Sequence, residues 1–243
     1  MDLPELPPIK GVFVTGTDTD VGKTVIAAGL TAALRQRRVQ AVYFKPVQSG
    51  CPEAGGKLIP TDAALAKELA GIPEPLELLT PITLRLPLAP GVAAAREGVT
   101  VDLGRINQAL RELSSRYEFF VVEGAGGLYV PLIGNTFLVL DLIRLLGLPL
   151  LVVAKAGLGA INHTALTVTA ARQHGIKVAG IVLNRASAAP NLAEQTNPPV
   201  IEAITGHPIL AKVPEITNLN DFAGQEVLIT ALAEACDKCL ALS

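Results

Sequence analysis

Gly16-Thr17-Asp18-Thr19-Asp20-Val21-Gly22-Lys23-Thr24 directly follows a strand-like run that begins at Gly11 and opens onto a stretch with helical spacing. A glycine-bounded loop between a strand and a helix turns successive backbone N–H groups inward around phosphate oxygens. The positive end of the helix dipole adds to them. Lys23 supplies a point charge to the outer phosphates of a nucleoside triphosphate, and Thr24 an oxygen ligand for magnesium. Five residues separate Gly16 from Gly22, one more than the ordinary phosphate-loop pattern. Asp18 and Asp20 add negative charge beside an anionic ligand, where they either cap the loop or contact magnesium.

The rest of the chain fits a parallel α/β protein. Of 243 residues half are apolar, only 4% are aromatic and none is Trp. The core must therefore be built from Val, Leu, Ile and Ala, the usage of a sheet buried on both faces. At this length a single domain over 1-243 is expected. A net charge of -2 without a long basic run gives no general attraction to nucleic acid or anionic lipid. Phe137 to Ile161, the most apolar stretch, contains Asp141, Arg144, Pro149 and Lys155 and cannot form an uncharged membrane span. The start is acidic and broken by Pro4, Pro7 and Pro8, unlike a secretory signal, so a cytoplasmic location is expected. Cys51, Cys236 and Cys239 are too few for a disulfide framework. The lone CxxC at Cys236 and Cys239 reads as core packing, not as a metal or redox site.

Apolar runs alternate with helical segments, the pattern of βαβ units with right-handed crossovers. Strands are expected near 11–16, 39–45, 117–123, 148–154, 177–183 and 207–213. Helices are expected near 23–37, 61–70, 102–114, 136–146, 160–174, 191–204 and 223–240, with Asp102 and Asn135 as caps. The Pro-rich segment 71–100 interrupts the alternation and reads as a long surface excursion. In open parallel sheets ligands bind outside the carboxyl ends of the strands. The phosphate loop, Lys45-Pro46, Glu123-Gly124-Ala125-Gly126-Gly127 and Asn184 all fall at such ends, so they converge on one rim.

Glu123 leaves a buried strand beside a glycine cluster and resembles the second, metal-holding acid of an ATPase. Lys45 leaves the second strand. It either stabilises charge on a transferring phosphoryl group or escapes the sheet end to water, and the residue alone does not decide. Asp62 follows Thr61 at a helix start, where the dipole favours an acid with or without a ligand.

Taken together, Gly16 to Thr24, Lys45-Pro46-Val47-Gln48-Ser49-Gly50, Glu123 to Gly127 and Gly159-Ala160-Ile161-Asn162-His163 resemble the dethiobiotin synthetase family, in the right order over most of the chain. The resemblance implies a P-loop NTPase-like α/β fold, a mostly parallel β-sheet flanked by helices on both faces. It also implies an ATP-dependent cyclo-ligase of biotin synthesis that closes a ureido ring on 7,8-diaminononanoate using CO2. It gives Lys23 and Lys45 the stabilisation of phosphate and carbamate charge, and Thr24, Asp62 and Glu123 the coordination of Mg2+. ATP contacts fall on Asp20, Val21, Gly22, Lys23, Thr24, Val25 and Asp62, and on Glu123, Gly124, Ala125 and Gly126. Asn184 would read adenine beside Arg185, and Pro214, Glu215, Ile216 and Asp221 match a further nucleotide loop. Thr19 and Ser49 would lie near the diamine and carbamate. The family is a homodimer, and Ala160, Ile161 and Asn162 match a helix start that a partner subunit offers to the substrate carboxylate; His163 is then a helix residue. Asp20 stands where relatives commonly carry Glu, Leu88-Ala89-Pro90-Gly91 where many have a Ser-Pro-His-like stretch, and Gln195 where an aromatic is expected.

Two other classes compete. A regulatory ATPase of the partition or cell-division type shares a dimeric fold and a modified phosphate loop, but carries a signature lysine early in it, where this chain has Thr17 and Asp18. An amidotransferase-related synthase would need a glutaminase domain, which this sequence lacks.

Overall fold

The computed structural model describes residues 5–216, 218–219 and 221–242. Six strands form one sheet: β1 (Gly11–Gly16), β2 (Ala41–Phe44), β3 (Phe119–Glu123), β4 (Leu150–Lys155), β5 (Val178–Ala186) and β6 (Ile209–Pro214). Their order is β6-β5-β4-β1-β3-β2, and every neighbouring pair is parallel. All residues of β1, β2 and β3 are buried. That explains why they read as continuous apolar runs and not as alternating ones.

Ten helices accompany the sheet among the described residues: α1 (Lys23–Gln36), α2 (Thr61–Ala70), α3 (Leu76–Leu79), α4 (Pro90–Glu97), α5 (Leu103–Ser114), α6 (Val139–Leu146), α7 (Ala160–Gln173), α8 (Leu192–Thr205), α9 (Phe222–Ala231) and α10 (Ala233–Leu242). The chain leaves β1 through α1 toward one edge, and from β3 onward it steps through α6, α7 and α8 toward the other. Right-handed crossovers in opposite directions put the two sets of helices on opposite faces. Helix α1 is buried from Ile26 to Leu34 because α2, α9 and α10 pack over it as well as the sheet. At Gly29 a Cβ would lie 2.6 Å from Leu228 Cγ, so the close α1–α9 approach depends on that glycine.

One expected cap holds, and several other expectations need correction. Asp102 caps α5, its Oδ1 accepting the Gly104 N–H at 2.7 Å. Asn135 caps nothing, because a short antiparallel pair, Pro131–Ile133 with Phe137–Leu138, occupies that stretch. Helix α6 begins only at Val139, where the Asp141 carboxylate accepts the Leu138 N–H at 2.8 Å. The segment 71–100 is no surface excursion. It holds α3 and α4, pairs Ile82–Thr83 in parallel with Val47–Gln48, and buries Leu79, Ile82, Leu84 and Ala93. Glu74, itself buried, accepts both Arg116 Nη1 contacts (2.8 and 2.7 Å) and the Tyr117 hydroxyl (2.9 Å), fastening the loop after α2 to the end of α5. The single helix expected over 223–240 is two, divided at Leu232.

Candidate active site

The carboxyl ends of β1, β2 and β3 open on a cleft of about 580 Å³. Strand β1 lies where the strand order reverses, the place where a crevice forms in open α/β sheets. The phosphate loop forms one wall. The Gly16 N–H donates to the Gly126 carbonyl at 3.4 Å and the Thr17 N–H to the Val153 carbonyl at 2.9 Å, tying the phosphate loop to the glycine-rich loop after β3 and to β4. Asp20 and Gly22 take positive φ (56° and 92°), and Gly22 is the N-cap of α1. A Cβ at Gly22 would sit 2.0 Å from Asn184 Nδ2, so only glycine fits this bend. Asn184 is buried and donates to the Val21 carbonyl at 2.9 Å, bracing the loop from behind.

Lys23 is buried, and its ammonium donates to the Asp18 carbonyl at 2.9 Å. Burial pushes its pKa below the ordinary lysine value, against the pull of Glu123. In the free protein this charge is poorly compensated, which favours any anion that enters the loop. Asp18 also accepts the Thr19 N–H at 2.7 Å, so it caps the loop, one of its two expected roles.

Opposite the loop, Lys45 sits between two acids. Its Nζ donates to Glu123 Oε1 at 2.7 Å and contacts Asp62 Oδ2. Burial opposes its charge, but the Glu123 and Asp62 carboxylates together outweigh it and hold the ammonium above the ordinary lysine value. Lys45 is 5% exposed, which excludes the reading of a lysine escaping to water. Glu123 Oε1 also accepts the Thr24 hydroxyl at 2.9 Å, and Oε2 accepts the Tyr43 hydroxyl at 2.6 Å. Asp62 stands in the first turn of α2, which has no cap of its own. Gln48 substitutes for one: its Nε2 donates to Thr61 Oγ1 at 2.9 Å and its Oε1 accepts the Asp62 N–H at 3.2 Å. The helix start thereby faces Lys45.

Thr19, Asp20, Gly22, Lys23, Thr24, Lys45, Ser49, Asp62, Glu123, Ala125, Gly126 and Arg185 all line the cleft. Val21 is buried under the loop and Val25 packs on the core. Gly124 lies against Phe13, where a Cβ would come within 2.8 Å of the ring. Pro214, Glu215, Ile216 and Asp221 do not line the cleft; Glu215 is tied to β5 by its N–H to the Ala186 carbonyl at 3.1 Å, and Asp221 caps α9 through the Gly224 N–H at 2.6 Å. Ala160, Ile161 and Asn162 begin α7 behind Gly159 (φ 86°) and also stand outside the cleft of one chain. Leu88, Ala89 and Pro90 form its far wall, whereas Gln195 is exposed elsewhere and donates to the Pro190 carbonyl at 2.7 Å. Tyr43 and the capping role of Gln48 were missed by sequence reasoning. The signal for Tyr43 was its spacing, since residues two apart on a strand share a face and Tyr43 precedes Lys45 by two.

Thr24 Oγ1, Asp62 and Glu123 are hard oxygen donors of the kind magnesium takes. No group of three or more His, Cys, Asp or Glu gathers among the described residues. One hydroxyl and two carboxylates fit a cation that keeps water and takes phosphate oxygens, as magnesium does.

The chain matches the model of the AAA domain family over residues 10–223. It is 47% identical over 208 residues to the ATP-dependent dethiobiotin synthetase BioD of Bacillus licheniformis, covering 86% of this chain and 87% of that protein. It is 47% identical over 206 residues to the protein of that name from Anaeromyxobacter dehalogenans (85% and 90% covered), and 41% over 215 residues to that of Clostridium kluyveri (87% and 88%). Among solved structures it resembles the MinC:MinD cell division complex of Aquifex aeolicus, with a TM-score of 0.59 at 14% identity over 96% of this chain and 97% of that one. A likeness at that identity shows a shared fold alone. With its modified phosphate loop, its Lys45 between two acids and relatives of nearly equal length, the chain belongs to the family of ATP-dependent dethiobiotin synthetases.

Proposed function

We propose that the protein is the ATP-dependent cyclo-ligase that converts 7,8-diaminononanoate, CO2 and ATP into dethiobiotin, ADP and phosphate, with residues 1-243 acting as one catalytic unit. The observation that carries this reading is the buried Lys45 ammonium facing the phosphate loop across a cleft that also holds Ser49 and Thr19. One amine adds to CO2 and loses a proton, giving a carbamate. A carbamate oxygen then attacks the γ-phosphorus of ATP and ADP leaves. The second amine attacks the resulting mixed anhydride at carbon, and phosphate departs as the ring closes. Lys23 and Lys45 stabilise the negative charge that builds on the phosphoryl and carbamate oxygens, donors fixed in place before the reaction. Thr24, Asp62 and Glu123 hold magnesium, which neutralises phosphate charge when bound. Asn184 and Arg185, with Pro214, Glu215, Ile216 and Asp221, receive the nucleoside.

Two copies of the chain pair, so that the α7 start of one offers its free N–H groups to the substrate carboxylate of the other. Support comes from α7 itself: Leu158, just before it, is 93% exposed and Leu166 is 62% exposed, apolar surface that a partner would cover. No helix among the described residues is long and apolar enough to cross a membrane, and we place the enzyme in the cytoplasm. The test is an incubation with ATP, magnesium, bicarbonate and the diamine, with dethiobiotin read by mass spectrometry alongside ADP. Absence of the cyclic urea, together with ATP turnover stimulated by DNA or lipid, would overturn the ligase in favour of a regulatory ATPase.

A further inference from the structure

Glu123 receives donors from two sides. Thr24 (2.9 Å) and Lys45 (2.7 Å) reach Oε1 from the cleft, while the Tyr43 hydroxyl reaches Oε2 at 2.6 Å from the interior. Tyr43 is fully buried and does not line the cleft, so it touches neither nucleotide nor diamine space. From this division of oxygens we infer that Tyr43 is a positioning residue, which pins Oε2 of Glu123 and thereby reserves Oε1 for Thr24, Lys45 and the magnesium edge of the site. The inference rests on the reading of Glu123 as a magnesium-side acid.

The physical need for such a pin follows from the side chain. The terminal torsion of a glutamate is broad and nearly two-fold, so an unpinned carboxylate exchanges its oxygens freely. An internal donor on one oxygen breaks that equivalence and fixes the plane of the group. Tyrosine is suited to the task because strand alternation places Tyr43 on the same face as Lys45, two residues on, and the rigid ring spans from β2 to the neighbouring β3.

The test compares ATP affinity with and without magnesium in Tyr43→Phe, by calorimetry on the full chain. The variant keeps the ring and loses one charge-assisted hydrogen bond, so affinity for ATP with magnesium falls about tenfold while affinity in EDTA is unchanged. In a Glu123→Gln background the same change loses its effect, because the pinned charge is gone. An equal loss with and without magnesium, or the same loss in the Glu123→Gln background, would show a merely structural role and overturn the inference. If Tyr43→Phe does not fold, the wild-type chain still answers: the contact predicts a slowly exchanging Tyr43 hydroxyl proton in the NMR spectrum that Glu123→Gln shifts, and no shift overturns it. Wild-type ATP binding indifferent to magnesium would defeat the metal reading and this inference together. Dethiobiotin formation by the wild type reports separately on the ligase itself.

Discussion

Replacing Lys45 with methionine removes the one cation between two acids while keeping most of the side-chain volume. At 2.7 Å from Glu123 Oε1 the ammonium gains about 6 kcal/mol of Coulomb attraction at an effective dielectric of about 20. Desolvation of both ions offsets most of that, so the intact pair adds little net stability. Breaking it is different, because Glu123, 1% exposed, loses its hydrogen-bonded ion-pair partner. Such losses cost about 3–5 kcal/mol. Thr24 and Tyr43 still donate to the carboxylate, so a value near the lower bound, about 3 kcal/mol, is expected in urea unfolding at pH 7. Turnover, read as phosphate release with the diamine present, should fall by ~100-fold or more, the loss typical of a fixed transition-state donor. Nucleotide affinity should stay near the wild-type value, since the phosphate loop is untouched. The pH arm has a definite sign. Lys45 is raised in the fold, so its stabilisation is complete below about 10.5 and is lost as pH climbs through the higher folded value. Tyr43, also raised, loses stability in the same direction above about 10. Wild type should therefore weaken more steeply than Lys45→Met in this range. Near-normal turnover in the variant would refute the role given to Lys45, and joint loss of folding and nucleotide affinity would make it structural.

Other expectations follow from the same geometry. Lys23→Met should raise the unfolding free energy of the nucleotide-free protein by about 1 kcal/mol while abolishing ATP binding in calorimetry, since it removes a buried charge whose desolvation outweighs the pull of Glu123. Lys23 is lowered in the fold, so wild-type stability gains from it as pH rises through the folded value toward about 10.5, and the variant should lack that gain. Gly22→Ala should cost at least about 1–3 kcal/mol for its backbone alone and eliminate nucleotide binding, because the new methyl meets Asn184. Cys236 and Cys239 are buried, and burial pushes their thiols up to about 11 and about 12. Alkylation of the native protein at pH 8 should leave both unmodified in peptide mass spectra, with labelling only after denaturation. Asp102→Ala should cost about 1 kcal/mol through the lost α5 cap without changing turnover.

The sheet was legible because burial on both faces writes itself as uninterrupted Val, Leu and Phe between glycines and prolines; β1 lies where its apolar run placed it. The segment after Gly71 was not. Leu79, Ile82 and Leu84 are core residues, yet they sit in a single helical turn, a two-residue ladder and the loop after it, too short for either period to show among five prolines between residues 73 and 90. The break at Leu232 carries no Gly or Pro, so only tertiary packing marks it. In the site, Lys23, Lys45, Asp62 and Glu123 could be placed because each ends a strand or begins a helix at the same rim. Their mutual contacts could not, since Lys45 and Glu123 are 78 positions apart and meet only through the β2–β3 pairing. Gln48 looked like loop polarity because its partner is the uncapped start of a helix elsewhere in the chain.

The position of β1 in the middle of the sheet has a consequence for synthesis. Gly11 pairs with Phe120 and Phe13 with Leu150, so the strand that carries the phosphate loop precedes both of its neighbours by more than a hundred residues. Such distant pairings carry a large loop-closure cost before they return any contact. On the ribosome the loop lacks at least one of its two flanking strands until the chain has grown past Lys155, and the nucleotide cradle cannot close on a growing polypeptide shorter than that. Until then one edge of an apolar strand built to lie inside a sheet has no partner, and that interval of translation leaves it open to the wrong pairings.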